Sequence, residues 1–92
     1  MGFFSFNKYP TVEHYLSEME IKKIVSEVAV QTLKSSEEAL VEQAVVARRH
    51  GDGKISLQQI YETLRSLVNK KKISKYDRDA LMKRFVNHFK NS

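Results

Sequence analysis

Apolar residues recur at helical spacing along most of the chain, and changes in the phase of that recurrence divide it into elements. Val12, Tyr15, Leu16 and Met19 fall on one face and predict a short helix over about 11–16, entered through Pro10 and Thr11. The stripe then shifts to Ile21, Ile24, Val25, Val28 and Leu33. Ser17 and Glu20 stand at capping-box spacing just before the shift, so a second helix over about 18–34 is preferred to one kinked helix from 11 to 34. Leu40, Val41, Ala44, Val45 and Ala47 predict a helix over about 36–50, which the serines at 35 and 36 open. Ile60, Tyr61, Leu64, Leu67 and Val68 predict another over 57–69, and Leu81, Phe85, Val86 and Phe89 a last one over 75–90. No alternating run of β-branched residues is long enough for a sheet. The pattern predicts an all-α fold, a compact bundle of four or five helices forming one domain over residues 1–92.

The best-marked turn is Arg48-Arg49-His50-Gly51-Asp52-Gly53-Lys54-Ile55-Ser56. Gly51 is expected to take positive φ just past the preceding helix. Ser56 and Gln59 form a serine-to-glutamine capping pair, and Ile55 and Ile60 are spaced to pack as a hydrophobic staple. A helix, then Gly-Asp-Gly-Lys-Ile-Ser, then a second helix resembles an EF-hand over residues 37–67. With Gly53 at the loop's obligatory glycine, the resemblance places Asp52, Ile55 and Ser56 at matching positions. It also places Arg48, His50 and Gln59 where acidic ligands belong. Calcium takes about six to eight oxygens, and this loop offers Asp52 as its one charged candidate ligand. The resemblance therefore implies the helix-loop-helix geometry and argues against a calcium cofactor.

Lys54-Ile55-Ser56 recurs as Lys72-Ile73-Ser74, which marks Ser74 as the cap of the last helix. The helix between the two copies is about 20 Å long, too long for their isoleucines to pair. Ile55 is left to seek a partner strand in the N-terminal aromatic arm or in a second copy of the chain, the latter giving a homodimer through this loop or the arm. That arm, residues 1–10, is expected to be extended. It holds Phe3, Phe4, Phe6 and Tyr9, which suit a groove between helices or serve as anchors for a partner. The start Met1-Gly2 misses the myristoylation pattern, because Ser5 and Phe6 are displaced from it by one residue.

Charge adds a polarity that hydropathy does not show. The net charge is +5, yet from Arg65 onward nine basic residues face Asp77 and Asp79, a local +7 that leaves −2 for the first 64 residues. Lys70, Lys71, Lys72, Lys75, Arg78, Lys83 and Arg84, with Tyr76 among them, are the candidate binding residues for an acidic partner. Absence of cysteine excludes disulfides, thiol chemistry and cysteine-type zinc sites. His14, His50 and His88 lie in separate elements without a metal-ligand spacing. No phosphate loop, nucleophile elbow or dinucleotide fingerprint is present, and the pair His50 and Asp52 reads as a solvated turn. The expectation is a protein without enzymatic activity or cofactor, cytoplasmic, with no membrane-spanning run.

Two functions fit these residues. In the first, a metal-free EF-hand-like scaffold acts as an adaptor or regulatory module, presenting its basic C-terminal face to an acidic protein. In the second, the basic C-terminal hairpin lies along nucleic acid, with its lysines and arginines on phosphates and Tyr76 stacking. Asp77 and Asp79 at the start of the last helix weigh against the second.

Overall fold

A computed structural model describes residues 8–90 of the chain; the candidate anchors Phe3, Phe4 and Phe6 lie outside that range. Its elements run β1 (Glu13–Tyr15), α1 (Glu18–Ala29), α2 (Ser35–Arg48), β2 (Lys54–Ser56), α3 (Leu57–Asn69) and α4 (Lys75–Lys90). The fold is mostly helical, as expected, with a two-stranded antiparallel sheet added.

Three helix starts rest on a reciprocal exchange in which a serine cap and a residue three positions on satisfy each other's amides. Before α1, Glu20 N–H donates to Ser17 Oγ at 3.1 Å while Ser17 N–H donates to Glu20 Oε1 at 2.9 Å. Ser56 and Gln59 repeat the exchange before α3, at 3.1 and 3.0 Å. At α4 the reciprocal partners are Ser74 and Asp77, both bonds at 3.0 Å. Asp77 thus serves as the cap's acidic member and is buried.

The first predicted helix is instead β1. Glu13 pairs with Ser56, His14 with Ile55 and Tyr15 with Lys54. Leu16 N–H continues the ladder to Gly53 O at 3.1 Å. The apolar face inferred there does not exist as such, because Val12, Tyr15 and Met19 are exposed and Leu16 alone is buried. Ser17, extended at ψ 158°, fixes where the helical backbone begins and so keeps 11–16 out of it. Ile55 therefore finds its partner, His14, within its own chain, four residues beyond the proposed arm. The Ile55 side chain is fully buried.

Helix α1 stops five residues short of the expected end. Val28 O accepts from both Gln31 N–H and Thr32 N–H, turning the chain so that Leu33 reaches the core from a loop. The segment Val28-Ala29-Val30-Gln31-Thr32 is rich in β-branched residues, which extend a helix somewhat less readily than Ala or Leu. Helix α2 likewise ends at Arg48, since Arg49 is extended at ψ 151°.

The helices pack in a closed cycle, α1 on α2, α2 on α3, α3 on α4 and α4 on α1. Ile21, Val25, Val41, Val45, Ile60, Leu64, Leu81 and Phe85 are fully enclosed where they meet. Each such side chain contributes about 1.5–3 kcal/mol relative to exposure. The sheet sits at one end of this cycle, joined to the N-termini of α1 and α3. The lysine-rich turn between α3 and α4 lies at the other. Among the described residues no helix is long and apolar enough to cross a membrane.

Candidate interaction face

The central turn spends its side chains on its own architecture. Gly53 N–H donates to His50 O at 2.8 Å and His50 N–H to Lys54 O at 3.0 Å, closing the loop tightly. Positive φ falls at Gly53, +84°, and not at the expected Gly51. Arg49 turns inward: its Nη1 donates to Leu16 O at 2.9 Å, tying the end of α2 to the joint between β1 and α1. His50 Nε2 and Glu13 Oε2 are 2.7 Å apart, and Gln59 Nε2 donates to the same carboxylate oxygen at 3.2 Å. Asp52, the one charged candidate ligand, accepts from Lys54 N–H at 3.1 Å in a local side-chain turn. Among the described residues no three histidines, aspartates or glutamates gather as a metal-binding group.

The eight candidate basic-face residues divide among three places. Lys70, Lys71 and Lys72 occupy the exposed turn after α3, and Lys75 is the exposed first residue of α4. In that turn Lys71 N–H donates to Val68 O and Lys72 N–H to Leu67 O, both at 2.9 Å, the bond pair of a Schellman motif. Such a motif needs a left-handed residue, and Lys71 supplies it at φ +60°.

Tyr76, Lys83 and Arg84 line a groove of about 580 Å³ between α1 and α4, together with Val28, Gln31 and Asp79. Tyr76 is 74 % exposed, so its ring stands ready for contact. Arg84 Nη1 reaches Glu27 Oε1 at 3.5 Å, a half-exposed pair of small energetic weight.

Arg78 points elsewhere, toward α3. Its guanidinium lies 5.7 Å from the centre of the Tyr61 ring, and its Nε donates to Asp79 Oδ1 at 3.1 Å. Lys8 Nζ at 5.5 Å and the Arg65 guanidinium at 6.0 Å converge on the same ring. Tyr9 meets it at 5.2 Å, held by its N–H donating to Gln58 Oε1 at 2.9 Å. Sequence reasoning passed over Lys8, Tyr61 and Arg65 as site residues. The four-residue spacing of Tyr61 and Arg65 along α3 was a readable signal for part of the cluster; the approach of Lys8 and Arg78 depends on tertiary packing.

Among the described residues two carboxyl groups, Glu20 and Glu42, are shifted from the ordinary carboxylate range, both outside these clusters. Glu20 is held low, first by the Ser17 N–H donating to it and further by the Ser17 hydroxyl and by His88, against the opposing effect of desolvation. Glu42 is pushed up, first by burial and then by neighbouring Glu38.

Compared with known proteins, the chain matches no family model, no curated sequence and no solved structure.

Proposed function

We propose that this chain is a non-enzymatic interaction module that binds an acidic protein segment through its basic C-terminal face. The observation that carries the reading is the groove between α1 and α4, which exposed Tyr76 lines together with Lys83 and Arg84. An aromatic anchor with cations around it suits a partner segment that offers carboxylates near an apolar residue.

The scaffold beneath that face is a degenerate, metal-free EF-hand. Supporting this are the helix-turn-helix from α2 to α3, the left-handed Gly53 and the short strand at Ile55, for which β1 supplies the neighbouring strand that a companion loop would otherwise give. The same reading expects added calcium to leave the melting temperature unchanged, because a ligand that binds the native state raises it.

The test is titration with a glutamate-rich peptide bearing one phenylalanine, set against duplex DNA of matched charge. Peptide binding that weakens about tenfold in the Lys83→Glu, Arg84→Glu variant, and stays unchanged in Lys23→Glu, supports the proposal. Tighter binding to DNA, with a steep salt dependence removed by changing Lys70, Lys71 and Lys72 to glutamine, would replace it with the nucleic-acid reading.

A further inference from the structure

Lys8, Arg65 and Arg78 come from three separate parts of the chain, the N-terminal segment, α3 and α4. They nevertheless bring their charged groups within 6.0 Å of the centre of one ring, Tyr61. With that common centre, no two of the charges are more than about 12 Å apart, so they repel most at low ionic strength. Contact with the ring's electron-rich face offsets part of that repulsion. The acids nearby do little more. Asp79 pairs with Arg78 from a largely exposed position, and Glu62 accepts from Gln58 Nε2 at 3.1 Å. Among the described residues Lys8 and Arg65 have no carboxylate partner within ion-pair distance.

We propose that Lys8, Arg65 and Arg78 around Tyr61 form a binding site for a phosphoryl group, carried by a phosphorylated peptide segment or present as free phosphate. Two guanidiniums and one ammonium offer donors that match a phosphate's several oxygens, and a dianion neutralises more of the cluster than a single carboxylate can. Arg78 is the most enclosed of the three, its side chain 16 % exposed and its Nε donating to Asp79 Oδ1 at 3.1 Å. A nucleotide fits less well. Tyr61 already meets the Tyr9 ring on one side and cations around it, so a base has no free face on which to stack. Asp79 touches both this site and the groove between α1 and α4, but the two draw on different cations, so either can fail without the other.

The experiment is nuclear magnetic resonance on the full chain, following the Tyr61 ring protons and the Nε–H signals of Arg65 and Arg78. Inorganic phosphate is added at constant ionic strength with chloride as the control, followed by a phosphoserine peptide flanked by alanines and by its unphosphorylated form. Saturable shifts with phosphate and not chloride are expected at those three residues. The phosphopeptide is expected to bind at least about tenfold more tightly than its unphosphorylated form, and Arg65→Gln, at an exposed position, to lose about tenfold of that affinity. Binding by the phosphopeptide well above that of inorganic phosphate names the peptide as source; equal binding names free phosphate. Shifts no larger than those from chloride, or unchanged affinity in Arg65→Gln, would overturn the proposal. So would a single-stranded oligonucleotide that binds more tightly than the phosphopeptide and displaces it from Tyr61.

Discussion

Gly51 and Gly53 stand two residues apart in one turn, and only their surroundings separate them. At Gly53 the backbone is at φ +84°, where a side chain clashes with its own peptide, and an added Cβ would lie 2.6 Å from Tyr15 Cε1. At Gly51 the added atom would meet nothing within 4 Å, and φ is not positive. The Tyr15 ring is exposed and has room to swing aside, so the conformational term dominates. Gly53→Ala is expected to lower unfolding free energy by about 1–2 kcal/mol, while Gly51→Ala stays within about 0.5 kcal/mol. Urea denaturation of the two variants measures the difference. Equal effects would show that the turn relaxes around its second glycine. In the sequence the two positions looked alike, and Gly51 was the expected left-handed residue because it comes first after the helical pattern. What selects Gly53 is the strand Glu13–Tyr15 laid beside it from far along the chain, a tertiary fact that local spacing does not contain.

At the scale of elements, legibility followed the range of the forces. Capping is decided within three residues, and Ser17, Ser56 and Ser74 all stood where the exchange of bonds now appears. β1 was not legible, since a three-residue strand whose side chains are all exposed leaves no alternation to read; it exists because Ile55 needed a partner. The basic face was legible in composition but not in placement, for Tyr76 and Arg78 sit two residues apart on α4 and so face different neighbours. The exit from α3 holds a further consequence. Its Schellman turn places Lys71 at φ +60°, the position at which glycine is most at ease. Lys71→Gly is therefore expected to raise stability by about 0.5–1 kcal/mol, the relief of left-handed strain being partly cancelled by the greater freedom of glycine in the unfolded chain. A lower midpoint in urea would mean that the lysine side chain contributes contacts outweighing its strain.

Across the whole molecule, the cycle of four helices is closed by α4 returning to α1, and two carboxylates report on the charge balance of that bundle with opposite signs. Glu20 at the head of α1 faces His88 near the end of α4, Oε2 to Nε2 at 3.3 Å, and its acidity is strengthened by the Ser17 cap and by that neighbour. A carboxyl whose folded pKa is depressed stabilises the fold above its unfolded value and loses that contribution as pH falls through the folded value. Glu42 on α2 behaves oppositely. With its folded pKa raised by burial and by Glu38 four residues before it, the ionised form is penalised, so its contribution worsens as pH rises through the folded value. Replacing each by glutamine separates charge from shape. The amide introduced by Glu20→Gln retains an acceptor for the Ser17 N–H and loses only the charge, so this variant is expected to melt lower than the parent at neutral pH and to converge with it as the carboxyl protonates. Glu42→Gln is expected to melt higher at neutral pH, by about 0.5 kcal/mol for a relieved like-charge pair at this spacing, and also to converge in acid. Circular-dichroism melting of the three proteins across the acidic range reads both differences at once. Curves that stay parallel at all pH values would place the effects in packing, and a reversed order at neutral pH would mean that Lys22, which favours the Glu42 charge, outweighs burial and Glu38 together.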